Sequence, residues 1–161
     1  MIMRVETAGD VAGIYRVIEA AFGKKAEAML VDALRAAGDV VLSLVAEENR
    51  EVLGHVLFSR LLAPAGCLAM APVSVRPDRQ KSGIGSALIN ESIARLRVDG
   101  WKAIFVLGQP GYYTRFGFRV AAAARFTSAY PPSHFMALEL EAGVLGALDA
   151  RVVHPRAFEM V

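Results

Sequence analysis

A loop with two closely spaced glycines is the part of this sequence best suited to hold a ligand. An apolar, β-branched run over residues 73–75 ends near Pro77, and residues 78–82 are polar. Gly83 and Gly85 then open a segment in which apolar residues recur at helical spacing. The pattern predicts a strand, a loop and a helix, in that order.

The start of this predicted helix favours an anion. Backbone N–H groups in a first helical turn have no internal partner and lie at the positive end of the helix dipole. We expect amides 81–86 to converge on one point, and because Gly83 and Gly85 lack a Cβ, a bulky phosphate can approach the chain. The spacing excludes a Walker loop and a dinucleotide fingerprint, which needs a third glycine. A pyrophosphate held by amides, without an obligatory metal, fits the pattern.

A second motif lies one predicted strand further along the chain. Tyr113 precedes Gly117 and Phe118 in a Tyr-x-x-x-Gly-Phe pattern, and Tyr112 stands directly before it. Two motifs in a fixed order are more specific than a lone Gly-x-Gly.

Both motifs resemble segments of the GCN5-related N-acetyltransferase (GNAT) superfamily. Gln80-x-x-Gly83-x-Gly85 resembles its acetyl-CoA-binding motif, and residues 113–118 resemble its later tyrosine motif. The run over residues 107–113 is also similar to a subgroup of predicted acetyltransferases.

The resemblance implies a mixed α/β (α+β) fold, in which helices flank a central, mixed, twisted sheet whose strands 4 and 5 splay apart. It implies acetyl-CoA as the cofactor, with pantetheine in the gap between those strands. Pro72 supports such a gap, since a proline removes a ladder donor, and an extended amide-bearing chain can add to an unpaired strand edge. The cofactor-binding residues implied are Val73, Ser74 and Val75 for pantetheine, and Gln80, Lys81, Ser82, Gly83, Ile84, Gly85 and Ser86 for the pyrophosphate.

Acyl transfer from a thioester to an amine needs positioned reactants, an unprotonated amine and a proton for the departing thiolate. The resemblance implies direct attack in a ternary complex, so Cys67 is expected to be a small buried hydrophobe rather than a nucleophile. Tyr113 occupies the motif position and is the expected proton donor, because a phenol with an ordinary pKa of about 10 suits a thiolate. Its neighbour Tyr112 is the alternative.

A general base is harder to find. Many relatives use a glutamate on or beside the fourth strand, but residues 67–75 contain no carboxylate. A water chain ending at Ser74, His55, His134 or the strand backbone stays an open alternative. For His55, a hydrogen-bonded, half-buried residue is the favoured interpretation.

Periodicity and turn residues predict the other elements. Residues 2–5 form a strand, and Thr7 with Asp10 resembles an acidic capping box at the start of a helix that ends at Gly23. A second helix over residues 24–37 has as its inward residues Met29, Leu30, Ala33 and Leu34. The later predictions are a hairpin of residues 40–46 and 52–59, a β-α-β unit of residues 67–75, 83–98 and 101–107, a short helix at 113–116, and closing strands at 118–120 and 134–140.

Composition bounds the class of protein. The chain has 161 residues, which suits a single domain spanning residues 1–161, and a formal net charge of +2 without runs of like charge, which disfavours nucleic acid as a partner. Its single cysteine, Cys67, excludes an internal disulfide framework, and no Cys/His group has metal-site spacing. No signal-peptide core or membrane span is predicted, so we expect a cytoplasmic protein without membrane or metal partners, with residues from 141 onward unassigned.

The resulting hypothesis is an N-acetyltransferase that moves an acetyl group from acetyl-CoA to a primary amine of a small molecule or a protein. One alternative is a non-catalytic acyl-CoA-binding or regulatory module, motivated by the missing carboxylate. Another is a phosphate-binding α/β domain that does not use coenzyme A, for which Pro72 and the second motif would be coincidences. Members of the superfamily often dimerise, so the resemblance allows a homodimer.

Overall fold

The computed structural model describes residues 1–161 and contains strands and α-helices in alternating groups. The strands are β1 (Ile2–Val5), β2 (Val40–Glu48), β3 (Glu51–Arg60), β4 (Cys67–Val75), β5 (Ala103–Leu107) and β6 (Phe135–Glu139). The helices are α1 (Val11–Phe22), α2 (Ala26–Ala37), α3 (Ile84–Val98), α4 (Pro110–Tyr113) and α5 (Val120–Ala123). None of the helices combines the length and the apolar character that crossing a membrane requires.

The strands form one six-stranded sheet in the order β1-β2-β3-β4-β5-β6. Neighbouring strands β1/β2, β2/β3 and β5/β6 are antiparallel, whereas β4 and β5 are parallel. Strand β4 runs antiparallel to β3, since the Arg76 amide donates to the Leu53 carbonyl and the Leu61 amide donates to the Cys67 carbonyl. The prediction of a mixed α/β fold with a mixed sheet is confirmed.

The chain divides into two compact units. The first comprises Met1–Ser59, Ala71–Ser92 and Arg156–Val161, and the second comprises Arg60–Met70 and Ile93–Pro155. The single-domain organisation stays a prediction. The first unit has a core of aliphatic residues from its helices and strands: Ile14, Ile18, Leu30, Leu34, Leu44, Leu57, Ile84 and Leu88.

The second unit is built around aromatic rings, two of which lie on β5 and β6. Phe105 on β5 stacks on Phe135 of β6, with ring centroids 5.5 Å apart. Phe126 meets the same Phe105 ring edge-on at 5.1 Å. Such offset and edge-to-face pairs stabilise a core beyond the apolar area that they bury.

Local signals define α1 as predicted. The Asp10 carboxylate accepts hydrogen bonds from the Thr7 backbone N–H at 2.7 Å and from its hydroxyl at 3.1 Å. Arg4 also donates to this carboxylate and holds the pKa of Asp10 well below its usual range. The helix ends at Gly23, whose φ of 71° is the left-handed conformation that glycine tolerates.

The inward face predicted for α2 is wrong in part. Met29 is 47% exposed, whereas Leu30 and Leu34 are buried as expected. The buried arc contains Ala28 and Val31 instead, which moves the stripe around the helix axis. Met29 lies at the edge of the apolar stripe, where helical periodicity alone does not decide whether a side chain is buried or exposed.

The strand predicted at residues 118–120 is also wrong. Arg119 makes a single bridge with Ala137, and the chain then turns into α5 at Val120. The alanine run that follows favours a helix over a strand, because alanine loses the least on forming a helix. The hairpin of β2 and β3 is confirmed, with Asn49 and Arg50 at φ values of 52° and 65° in its turn.

Helix α3 lies against β3 at Gly54. A Cβ added there would lie 2.9 Å from Ile84 Cγ2, 3.1 Å from Leu88 Cδ1 and 3.3 Å from the Ser74 carbonyl oxygen. These neighbours are buried, so the added methyl has no room without moving the helix. The absence of a side chain at Gly54 therefore sets how closely the start of α3 approaches the sheet.

We expect Gly54→Ala to destabilise the protein by about 1–3 kcal/mol, because overpacking a well-packed core forces neighbours off their rotamers. Urea denaturation measures this difference. Gly146→Ala is the matched control, since a Cβ there has no neighbour within 4 Å. Equal stability of both variants would show that α3 can shift without cost.

Candidate active site

The loop between β4 and α3 presents a row of free backbone donors. The Arg79 amide donates to the Arg76 carbonyl, and at the other end the Ala87 amide donates to the Gly83 carbonyl at 3.0 Å. The amides of residues 81–86, which lie between these bonds, have no hydrogen-bond partner in the protein. A group with several acceptor oxygens is the ligand that such a row of donors suits.

Two residues of this loop have positive φ values. Lys81 has a φ of 60°, which is uncommon for a residue with a side chain, and Gly83 has a φ of 90°. A Cβ on Gly83 would meet no protein atom within 4 Å, so the space beside it is open. Ile84 is only 2% exposed, which anchors the start of α3 in the core while the amides before it face outward.

Side chains around the loop form ion pairs that connect it to the neighbouring strands. Arg79 Nη1 lies 2.7 Å from Glu48 Oε2, which ties the loop to the end of β2. Arg76 contacts Glu51 at 2.9 Å and Asp78 at 2.6 Å. The Gln80 side-chain amide donates to the Val75 carbonyl at 2.9 Å. Glutamine at this position therefore links the loop back to β4.

The edge of β4 that faces away from β3 is largely unpaired. Only Cys67, Leu68 and Ala69 of β4 pair with β5, so the ladder stops before Pro72. The Arg76 amide points to β3, and because backbone groups alternate along a strand, those of Val73 and Val75 point to the other edge. Since Gln80 occupies the Val75 carbonyl, the Val73 N–H, the Val73 carbonyl and the Val75 N–H are the groups left on this edge.

Tyr113 lies in the second unit at the end of α4, directly against the backbone of Gly108. A Cβ on Gly108 would lie 2.4 Å from Tyr113 Cε2, so only glycine fits beside the ring. The Tyr113 ring also meets the rings of Tyr112 at 5.0 Å and Phe118 at 6.1 Å, both edge-on. Burial, and to a smaller extent Tyr112, raise the pKa of Tyr113 to about 12, so its hydroxyl keeps its proton near neutral pH.

Two other candidates from the sequence take defined places. Cys67 is buried and free of disulfides, and burial raises the pKa of its thiol to about 11, as expected of a small hydrophobe rather than a nucleophile. His55 is fully buried rather than half-buried, and its Nε2 lies 2.8 Å from Ser43 Oγ. Burial, and then the charge of Arg35, lower the pKa of His55 to about 3.

His134, the other histidine alternative, lies in the second unit in a turn just before β6. Its Nδ1 lies 2.8 Å from Ser133 Oγ, and its carbonyl accepts from the Gly108 amide. These contacts link it to the loop before α4.

Residues 40–120 match the model of the family described as an acetyltransferase (GNAT) domain. The chain belongs to the GNAT acetyltransferase family. It is 33% identical to the uncharacterised N-acetyltransferase YhbS of Escherichia coli K12, over 92% of this chain and 95% of that protein.

Solved GNAT structures share the fold. The crystal structure of Escherichia coli YhbS in complex with CoA superposes with a TM-score of 0.93 at 31% identity, covering 98% of this chain and 91% of that one. A GNAT acetyltransferase from Brucella melitensis in complex with acetyl-CoA has a TM-score of 0.82 at 39% identity, with 98% and 97% covered. The family predicted from the two motifs, and an acetyltransferase as the class of enzyme, are confirmed.

Sequence reasoning missed two contacts of the site residues. Gly108 and Tyr113 both lie in the run of residues 107–113. Only the folded structure shows that the Tyr113 ring leaves no room for a side chain at position 108. The contact of His55 with Ser43 joins two strands, and no motif connects these residues. Alternation on β2 and β3 was the only available signal, because it places both on one face.

We expect the absorbance titration of tyrosinate to assign Tyr113 a pKa of about 12, from the difference between the wild type and Tyr113→Phe. Gly108→Ala should lower this pKa toward the ordinary value of about 10, because the added methyl pushes the ring toward solvent. Gly111→Ala is the control, since a Cβ there meets no atom within 4 Å. An unchanged Tyr113 titration in Gly108→Ala would contradict the proposed contact.

Proposed function

We propose that residues 1–161 act as one N-acetyltransferase domain, which transfers an acetyl group from acetyl-CoA to a primary amine of a small molecule or a protein. The observation that carries this proposal is the row of unpartnered amides over residues 81–86. Acetyl-CoA as the donor is supported by the relatives whose structures contain CoA and acetyl-CoA. The amine attacks the thioester directly in a ternary complex, so no covalent enzyme intermediate is needed.

Backbone groups hold the donor in this proposal. The amides of Lys81, Ser82, Gly83, Ile84, Gly85 and Ser86 bind the pyrophosphate oxygens, helped by the positive end of the α3 dipole. Gln80 acts indirectly, because its side chain fixes the Val75 carbonyl. The free groups of Val73 and Val75 pair with the pantetheine amides as an added strand would, and Ser74 keeps this segment in register with β3.

Tyr113 supplies the proton that the departing thiolate needs. As the amine nitrogen bonds to the acetyl carbon and the C–S bond breaks, negative charge develops on sulfur, and the phenol donates a hydrogen bond to it. The pKa of about 12 keeps the hydroxyl protonated, so it can act as a hydrogen-bond donor to the sulfur, but the shift makes it a weaker acid toward a thiolate than an ordinary phenol. Positioning of the two reactants provides the larger part of the rate enhancement.

The acceptor is the least defined part of the proposal. Strand β4 carries no carboxylate, which removes the most direct base from the acceptor side. An acyl-CoA-binding module without turnover would share the donor site. Release of free thiol from acetyl-CoA in the presence of amines separates the enzyme from such a module. A cytoplasmic location and a homodimer stay predictions.

We expect Gly83→Ala to weaken coenzyme A binding by about 10-fold or more, because a methyl group enters the open space beside the amides and the φ of 90° is strained for alanine. Isothermal titration calorimetry with coenzyme A measures the change. Gly100→Ala is the matched control: its φ is 85° and its Cβ also meets no protein atom within 4 Å, but it follows the other end of α3. Equal affinity of both variants would place the diphosphate elsewhere.

We expect Tyr113→Phe to lower kcat by about 10²-fold with unchanged affinity for acetyl-CoA, because it removes one general acid. Release of free thiol is followed with acetyl-CoA and a panel of alkyl, aryl and peptide amines. Full turnover of Tyr113→Phe would remove the proposed acid. Tight acetyl-CoA binding by the wild type without thiol release across the panel would favour the binding module.

A further inference from the structure

A line of buried polar side chains runs through the first unit behind the β4 segment assigned to pantetheine. His55 on β3 is fully buried, and Ser43 on β2 is 3% exposed. Ser43 Oγ bonds both to His55 Nε2, at 2.8 Å, and to the Glu6 carboxylate. Glu6 in turn binds Arg35 of α2 through two hydrogen bonds of 3.0 and 3.1 Å. The line therefore leads from the middle of the sheet to a carboxylate whose side chain is 16% exposed.

The hydrogen-bond partners decide which atom carries each proton. An ionised carboxylate only accepts, so the Ser43 hydroxyl must donate its one hydrogen to Glu6. Ser43 Oγ then accepts from His55, which places the imidazole hydrogen on Nε2 and leaves Nδ1 with a lone pair. Every donor in the line thus points outward, toward Glu6.

The inner end of the line consists of two buried atoms without partners. His55 Nδ1 and Ser74 Oγ are both buried and make no hydrogen bond in the protein. The Arg76 amide donates to the Leu53 carbonyl, and counting two residues back along β4 and two forward along β3 brings Ser74 opposite His55. The two ring nitrogens of an imidazole point in different directions, so Nδ1 does not face Ser43 while Nε2 bonds to it.

Unsatisfied buried polar atoms are costly, so two of them at facing positions require an explanation. In the line that we propose below these two atoms are joined by a rotation of the Ser74 side chain or by one intervening water. Both groups project from the face of the sheet opposite α3, since Gly54, the residue before His55, faces that helix. Burial together with the Arg35 charge keeps the imidazole neutral, so His55 can pass a proton on but does not store one.

We propose that Ser74, His55, Ser43 and Glu6 form a proton relay that carries the proton of the acceptor ammonium from β4 to the protein surface. This inference rests on the proposed function, and it supplies the deprotonation that β4 lacks a carboxylate to perform. His55 and Ser43 act through their neighbours and are positioning residues rather than catalytic residues.

The step balances without a further reactant. The ammonium loses a proton to Ser74 Oγ or the bridging water, whose own proton passes to His55 Nδ1. The Nε2 proton then moves to Ser43 Oγ, and the Ser43 proton moves to the Glu6 carboxylate. The acceptor becomes a neutral amine, Glu6 becomes a carboxylic acid that releases its proton to solvent, and the imidazole ends in its other tautomer.

Nuclear magnetic resonance tests the direction of the relay without any acceptor. The full chain is labelled with ¹⁵N-histidine, bound to coenzyme A, and assigned with His55→Gln. We expect a neutral His55 with its hydrogen on Nε2 and an unprotonated Nδ1. A hydrogen on Nδ1, or a charged ring near neutral pH, would overturn the proposal, because the donors would then not all point to Glu6.

Kinetics tests whether the relay serves the amine. With the alkylamine of the panel that turns over fastest, we expect Glu6→Gln and Ser43→Ala to lower kcat by about 10-fold or more near neutral pH. The loss should shrink to about 3-fold or less near pH 10, where an alkylamine loses its proton in solution. Aromatic amines, which are neutral at the start, should show the smaller loss at every pH. Asp32→Asn is the control, since it removes only the exposed second partner of Arg35, and it should keep wild-type kcat.

One further variant and an unfolding measurement separate a relay from a merely structural role. Ser43→Thr keeps the hydroxyl and should restore kcat, and thermal unfolding checks that each variant is folded. Equal losses with alkyl and aromatic amines, or losses that do not depend on pH, would overturn the relay. If the wild type is inactive with every amine, the proposed function is rejected. The tautomer of His55, which is measured without an acceptor, then still tests whether the donors point toward Glu6.

Discussion

The proposed donor site depends on peptide N–H groups that the protein leaves unpaired at the start of α3. A folded chain usually pairs its backbone donors, and a row of free amides over residues 81–86 persists because the loop is exposed to solvent. The loop holds its shape through neighbours rather than through its own bonds. Ile84 anchors it in the core, Gly54 lets the helix lie close to β3, and Arg79 and Gln80 tie it to β2 and β4.

Strand β4 has a different role in each half. Its first residues pair in parallel with β5. Beyond Ala69 this pairing ends, and Pro72 has no N–H to continue it. The groups of Val73 and Val75 are then free to bind an extended ligand through the main chain, which requires no particular side chains.

The first unit also buries polar groups where an apolar core would be simpler. His55, Ser43 and Ser74 lie among aliphatic residues, and each costs free energy unless its hydrogen bonds are satisfied. The Ser43 hydroxyl is fully used, whereas His55 Nδ1 and Ser74 Oγ are not. Such incomplete networks are retained at functional sites more readily than in passive cores, because a partner that arrives with the substrate can complete them.

The sequence by itself determined the features whose signals are short-range. The capping box of Thr7 and Asp10 ahead of α1, the turn at Asn49 and the glycine before α3 are local patterns, and two motifs in order were enough to predict the GNAT family. Tertiary structure alone decided which side of α2 Met29 faces, that the chain turns into α5 after Arg119, and that Ser43 bonds to His55. These depend on contacts between residues far apart in the chain, where packing energy outweighs local preference and no spacing in the sequence encodes the partner.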